Sequence, residues 1–168
     1  GALPQFEDVE GHQTIWKTSL DGEELTEVSA DSTLYVEYHK ITYALTYVVD
    51  GEVYATDSIE YGAAITPIAE PTKEGYTFIG WDKDVPATMP AGDITLKAQW
   101  KVNQYTITFD TDGGTAIAPM TQDYNTAVTA PADPAKTGYT FAGWDKDIPD
   151  TMPAENVTIK AGGPMMGF

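Results

Sequence analysis

The chain has 168 residues, no cysteine and a formal net charge of −17, from 26 acidic residues against nine basic residues that are all lysines. Such a surface repels phosphate backbones and anionic lipid headgroups, and the missing thiols exclude disulfides and thiolate metal sites. No apolar run reaches the roughly 18–20 residues of a membrane-spanning helix. We therefore predict a monomer with no nucleic-acid partner and no membrane insertion.

One stretch of ten residues occurs twice, as GYTFIGWDKD at residues 75–84 and as GYTFAGWDKD at residues 138–147. Trp144 follows Trp81 by 63 residues, and the prolines, methionine and alternating apolar residues after each copy recur at the same distance. A self-similarity of fixed period indicates repeated structural modules. The sequence thus predicts complete modules at residues 41–101 and 104–161.

The front of the chain, residues 3–40, contains a weaker copy. Residues 31–38 align with residues 93–100, and Trp16 takes the place of Trp81. We interpret this front segment as a partial or degenerate repeat. Because half a module lacks partner strands, we expect it to be less stable than the complete modules.

The first complete module has the alternation of β-strands. Tyr43, Leu45 and Tyr47 are spaced by two, which predicts a strand with one buried face, and residues 50–51 (Asp-Gly) are a hairpin signal. Prolines 67 and 71 interrupt any ladder and predict a crossing loop. The other predicted strands of this module are residues 53–59, 76–78 and 94–100.

The second complete module follows the same scheme, with a strand at residues 105–109, a turn at residues 110–114 and a last strand at residues 157–161. Its closing aromatic is missing, because Gly162 and Gly163 stand where the first module has Gln99 and Trp100. Residues 162–168 form an irregular tail. Only four residues link the modules, without a Gly/Ser run, so we expect an elongated rod.

These motifs resemble a known family. The run YTITFDTDGG at residues 105–114, the later Pro-x-x-Pro segment and GYTFAGW at residues 138–144 resemble the Listeria–Bacteroides repeat, also called the internalin B-repeat family. The resemblance covers residues 41–161 well and residues 3–40 partly. It implies tandem β-grasp-like modules in large secreted or wall-attached bacterial proteins, where copies serve as stalks and sometimes contact host surfaces. The short segment between the GW element and the last strand leaves little room for a helix, so we predict a mostly β, helix-poor version.

The repeated aromatic residues are the candidate binding residues. Exposed Trp81 and Trp144 would be able to stack on sugar rings, with Tyr61 and Tyr124 beside them. Core anchoring explains the same tryptophans better, because a small module has few other large apolar groups.

Acidic residues near two turns are the weak metal candidates. Asp110 and Asp112 resemble the start of a calcium loop, but the later ligands and the terminal glutamate are missing, so a hairpin turn explains them better. Asp82, Asp84, Asp145 and Asp147 flank Lys83 and Lys146 at equivalent places, and a solvated turn explains them better than a cation site. We predict no metal and no cofactor.

The sequence contains no nucleophile elbow and no phosphate-cradling glycine loop, so we predict no catalysis. The favoured function is a structural spacer region of an extracellular, secreted or cell-wall-attached bacterial protein, with a contribution to adhesion. One alternative is a module that binds a host glycan or protein through exposed aromatics. The other is an accessory domain of a large extracellular enzyme. A contiguous exposed aromatic patch would favour binding over a spacer.

Overall fold

The computed structural model describes residue 3, residues 9–17 and residues 33–162. Within these ranges it contains nine strands and no helix, so the prediction of a mostly β, helix-poor protein is confirmed. The strands are β1 (His12–Lys17), β2 (Tyr35–Lys40), β3 (Thr42–Val49), β4 (Glu52–Glu60), β5 (Tyr76–Trp81), β6 (Ile94–Val102), β7 (Gln104–Asp110), β8 (Met120–Asp123) and β9 (Val157–Lys160).

The strands form three sheets. β1 and β2 make an antiparallel pair, a second sheet has the order β4-β3-β6-β5, and a third has the order β8-β7-β9. In the second sheet β3 runs antiparallel to β4 and parallel to β6. In the third, β7 is likewise antiparallel to β8 and parallel to β9. The two larger sheets therefore share the arrangement of their first three strands.

The β3–β4 hairpin has the predicted turn. Asp50 and Gly51 both have positive φ, at 49° and 81°. Aspartate and glycine accept this conformation at lower steric cost than most residues, which is why this dipeptide reverses the chain. The last strand of the first module is longer than predicted, because β6 continues to Val102.

The second module departs from the repeated scheme at its GYTF segment. Residues 76–81 form β5, whereas the equivalent residues 139–144 make only isolated bridges at Tyr139 and Trp144. β5 pairs with β6, but β9 ends at Lys160, and of the two described residues beyond it only Ala161 bridges to Trp144. A strand needs a partner of matching length to complete its hydrogen bonds, so this nearly identical sequence is a strand in one of the two described copies only.

The chain divides into two compact units, each with its own core. The first unit is Gly1–Pro71 with Gly80–Gln99, and the second is Thr72–Ile79 with Trp100–Phe168. The buried core of the first is Leu45, Tyr47, Ile65, Met89 and Leu96. The buried core of the second is Ile107, Phe109, Met152 and Ile159.

The strand residues of the two cores follow the predicted alternation, with Leu45 and Tyr47 on β3, Leu96 on β6, Ile107 and Phe109 on β7 and Ile159 on β9. The other core residues, Ile65, Met89 and Met152, come from the loops. Each fully buried side chain stabilises its unit by about 1.5–3 kcal/mol relative to an exposed one. The module boundaries, the β-grasp-like topology and the rod stay predictions. The tail from residue 163 onward lies outside the described residues. Within the described ranges, no helix is long and apolar enough to span a membrane.

Candidate functional site

Trp81, the first of the predicted binding tryptophans, lies at the end of β5 and is half-buried. Its ring packs on the ring of Tyr47 with centroids 4.9 Å apart, and it borders the core of the first unit. Tyr47 is itself buried, and this burial raises the pKa of its hydroxyl, with a smaller contribution from the charge of Asp57. The side chain of Trp81 therefore closes the core at this end.

Trp144 occupies the matching place in the second unit. Its ring contacts Phe109 at 5.3 Å and Phe141 at 5.1 Å between centroids. It is half-buried and borders the core cluster of Ile107, Phe109, Met152 and Ile159. Both repeated tryptophans thus make the tilted and edge-to-face aromatic contacts that are typical of core packing.

The aspartate and lysine after each tryptophan bind the last strand of their module. The Asp82 carboxylate oxygen Oδ1 accepts the backbone N–H of Lys97 at 2.8 Å, and the Asp82 N–H donates to the Lys97 carbonyl at 2.8 Å. Lys83 Nζ donates to the carbonyl of Thr95 at 3.1 Å. The sequence suggested a solvated turn here, and the structure adds a clamp that holds the turn to β6.

The same clamp occurs in the second unit. Asp145 Oδ1 accepts the N–H of Lys160 at 2.8 Å, and Lys146 Nζ donates to the carbonyl of Thr158 at 3.1 Å. Asp84 and Asp147 are exposed. The equal distances in the two copies give Asp-Lys a structural role after each tryptophan, which is to hold the turn to the last strand.

Tyr124, another predicted binding residue, covers a glycine within the second unit. A Cβ added to Gly75 would lie 2.1 Å from the Tyr124 ring, so only glycine fits under it. The backbone of Asn103 connects the two, since its N–H donates to the Gly75 carbonyl at 2.9 Å and its carbonyl accepts the Tyr124 N–H at 2.8 Å. The Tyr124 ring also meets the Tyr76 ring edge-on at 5.9 Å. We call this arrangement of glycine, bridging residue and tyrosine the Gly–Tyr joint.

Tyr61 makes the same joint within the first unit. A Cβ on Gly11 would lie 2.1 Å from the Tyr61 ring. The N–H of Ile41 donates to the Gly11 carbonyl and its carbonyl accepts the Tyr61 N–H, both at 2.8 Å. His12 meets the Tyr61 ring edge-on at 5.3 Å. Because the bridging residue changes from isoleucine to asparagine, the glycine and the tyrosine are the constant parts of the joint.

The weak metal candidates form a turn. The Asp112 N–H donates to Asp110 Oδ1 at 3.1 Å, and Asp112 has a φ of 49°. Lys136 Nζ donates to the Asp112 carbonyl at 2.9 Å and lies 4.0 Å from its carboxylate. Among the residues that the structure describes, no three His, Cys, Asp or Glu side chains are grouped to hold a metal ion.

The two histidines lie on the front pair of strands, β1 and β2. His39 Nε2 lies 2.9 Å from Glu37 Oε2, and Lys17 Nζ lies 3.0 Å from the same oxygen. Hydrogen bonds from these two partners lower the pKa of the Glu37 carboxyl, with His39 the larger cause. Of these contacts, the ion pair between Lys17 and Glu37 connects β1 to β2.

The sequence reasoning missed the Gly–Tyr joint, although its signal was present. Gly11 and Gly75 are separated by 64 residues, and Tyr61 and Tyr124 by 63. A glycine before an aromatic strand and a tyrosine at a strand end both recur with the repeat. Nothing in the one-dimensional pattern says that the tyrosine covers a glycine about 50 residues away.

The comparison with known families agrees with the repeated cores. The family description that matches is the Listeria-Bacteroides repeat domain, over residues 43–99 and again over residues 105–161. The chain belongs to the Listeria-Bacteroides repeat family. The resemblance deduced from the motifs is confirmed, and each matched segment contributes one of the two buried cores.

Relatives of this repeat protein include an internalin and a protein named as a membrane protein. Internalin H of Listeria monocytogenes is 40% identical over 139 residues, which cover 71% of this chain and 24% of that protein. A protein of Evansella cellulosilytica, provisionally named a membrane protein, is 31% identical over 133 residues, covering 74% of this chain and 20% of that protein. The repeat chain thus spans about a quarter or less of these relatives. The family and the internalin relative support a surface repeat protein.

Proposed function

We propose that this chain is a non-catalytic spacer region of an extracellular or cell-wall-attached bacterial protein. The observation that carries the proposal is where the repeated aromatics lie. Trp81 and Trp144 close the two cores, and Tyr61 and Tyr124 cover glycines. Side chains that are engaged in packing at equivalent places in two copies have a structural reason to recur. A spacer needs such repeated modules, each with its own core, and no ligand site.

The acidic surface fits this role. With a net charge of −17, neighbouring copies of the protein repel each other, which keeps a surface protein from associating through its sides. Each matched repeat contributes its own buried core, so a longer array can be built by repeating the same core. The coarser property, a surface repeat protein, is what the family and the internalin relative support.

Intrinsic tryptophan fluorescence tests the spacer proposal. All four tryptophans of the chain are half-buried. We expect blue-shifted emission that acrylamide quenches poorly, unchanged by mucin or simple glycans. Readily quenched emission that a glycan protects would contradict the proposal. Trp81→Phe and Trp144→Phe identify the tryptophan responsible for any change.

Adhesion to a host protein or glycan is the second proposal. It is favoured by β2, where Tyr35, Val36 and Tyr38 are all exposed, with 43% of the Tyr38 surface accessible. Exposed aromatic side chains on a strand offer a surface for a protein or glycan. Binding to mucin that is lost in Tyr35→Ser and Tyr38→Ser, while the cores stay folded, would support adhesion. An accessory role beside an extracellular enzyme stays a third proposal, and no particular residue of the described chain favours it.

A further inference from the structure

The second module contains a third glycine of this kind, Gly138, and none of the described residues covers it with a tyrosine ring. Gly138 has a φ of 82°, close to the 78° of Gly75, and a Cβ added there meets nothing within 4 Å among the described residues. Gly11 and Gly75 are buried beneath their tyrosines, whereas Gly138 is exposed. Its neighbour Tyr139 is 72% exposed, whereas the equivalent Tyr76 is half-buried. The glycine half of a Gly–Tyr joint is therefore formed, and none of the residues that the structure describes covers it.

A groove beside Gly138 lies where the first module has the ring of Trp100. The ring of Trp100 meets the ring of Phe78 edge-on at 5.6 Å, and Lys73 Nζ lies 5.7 Å from the centre of the indole. All three residues belong to the second compact unit.

The equivalents of Lys73, Tyr76 and Phe78 are Lys136, Tyr139 and Phe141. They line a groove of about 150 Å³. Lys136 Nζ lies 4.5 Å from the Tyr139 ring centre, as Lys73 Nζ lies 4.3 Å from that of Tyr76. The walls of the tryptophan site are thus formed in the second module, where Phe141 packs on Trp144. The position equivalent to Trp100 is Gly163, which lies outside the described residues.

The chemistry of the missing ring can be read from Trp100. Its indole N–H is buried and has no hydrogen-bond partner within the described residues. The site therefore selects an aromatic ring through packing and through the lysine above it, and not through a hydrogen bond. A phenylalanine or tyrosine ring would satisfy the same surroundings.

The backbone beside the groove is also prepared for a partner. Residues 76–81 form β5 next to β6, while residues 139–144 have the same sequence but for Ile79 and Ala142 and make only isolated bridges. The single bridge between Trp144 and Ala161 is antiparallel. An extended segment continuing from Ala161 would lie along residues 139–143 in this direction, as in recognition by strand addition.

We infer that residues 136–143 are a docking surface for a further repeat of the same family that comes next in tandem. The strand that continues from Ala161 into that repeat, as β6 continues through Trp100 toward β7, brings an aromatic ring to the groove at Phe141. The tyrosine of the further repeat that is equivalent to Tyr124 covers Gly138. The two Gly–Tyr joints identify this occupant. Gly11 of the front segment is covered by Tyr61 of the next repeat, and Gly75 of that repeat is covered by Tyr124 of the repeat that follows it. The inference rests on the proposed spacer function. It adds that successive repeats are held together by the tyrosine of one repeat packing directly on a glycine of the repeat before it.

The test adds a repeat to the full chain. A second copy of residues 99–161 is inserted after Ala161, which restores the spacing of the first module, and backbone hydrogen exchange is measured at residues 139–143. We expect protection to rise about tenfold or more over the unextended chain, because strand pairing blocks exchange. Protection at the inserted copy of Phe109 shows that the new repeat is folded.

Two glycine substitutions separate the joint from a general effect. In the extended protein, Gly138→Ala should abolish the gained protection, because its Cβ would meet the incoming tyrosine. Gly51→Ala is the matched control, since Gly51 has nearly the same φ of 81°, a Cβ there also meets nothing within 4 Å, and the residue lies outside the docking surface. Equal effects of the two substitutions, or no gained protection in a folded extended protein, overturn the inference. Protection that rises with concentration in the unextended chain would instead identify a second copy as the occupant and also overturn it.

If the inserted repeat does not fold, the full chain with Gly163→Trp decides the question. We expect the added indole to emit at shorter wavelength than free tryptophan and to resist acrylamide, and Phe141→Ala to remove this protection. A solvent-exposed added tryptophan overturns the inference. The two proposals fail in different experiments. If only this inference is wrong, residues 139–143 gain no protection and glycans leave the tryptophan fluorescence unchanged. If only the spacer proposal is wrong, residues 139–143 gain protection and a glycan changes the tryptophan fluorescence.

Discussion

The two complete modules have the same core and different edges. Met89 and Met152 are both fully buried, and the clamps made by Asp82 and Asp145 have equal distances. The GYTF segment is a strand in the first module and makes only isolated bridges in the second. Near-identical sequences thus have different backbone structures because their surroundings differ. The core of each module is its own, whereas the structure of its edge depends on the strand that lies beside it.

The largest expected effect tests the shared core. Met89→Ala and Met152→Ala each remove a buried side chain, so each should destabilise its unit by about 2–5 kcal/mol. The measurement is the free energy of opening from hydrogen exchange at the Tyr47 amide in β3 and the Phe109 amide in β7. A loss below about 1 kcal/mol for either variant would break the equivalence of the two cores.

The next effect tests the edges with one substitution at equivalent places. Gly138→Ala in the unextended chain should cost only the strain of positive φ, about 1–2 kcal/mol. Gly75→Ala adds the displacement of the Tyr124 ring, for a total of about 2–4 kcal/mol. Urea unfolding of the two variants measures the difference. Equal losses would mean that the Tyr124 ring moves aside freely.

The smallest effect uses pH. Burial raises the pKa of Tyr47, whose equivalent in the second module is Phe109, which does not ionise. Because the folded state keeps the proton longer, this stability is complete below the unfolded pKa near 10 and is lost as pH rises through the folded pKa. We expect the first unit to lose stability above pH 10 more than the second. Tyr47→Phe is the control and should remove the difference, and an unchanged difference would assign it to other groups.

Much of the molecule could be predicted from periodicity. The period of 63 residues, the alternation in residues 43–47 and 105–109, and the Asp-Gly turn led to the repeat, the strands and the buried faces. These features are local or depend on the same residue recurring, so a single sequence contains them. The aspartate and lysine after the tryptophan were found as a repeated pair, but their partners were not, because the partner strand lies about 15 residues away.

The sequence by itself determined that this protein is built from tandem β modules of the Listeria-Bacteroides repeat family. Alternation and period decide which side chains can share a core, whatever surrounds the module. Only the tertiary structure decided that Tyr61 and Tyr124 cover glycines and that GYTF is a strand in one copy alone. Such contacts join residues about 50 positions apart and depend on whether a neighbouring strand is present, and the order of residues in the chain does not state this.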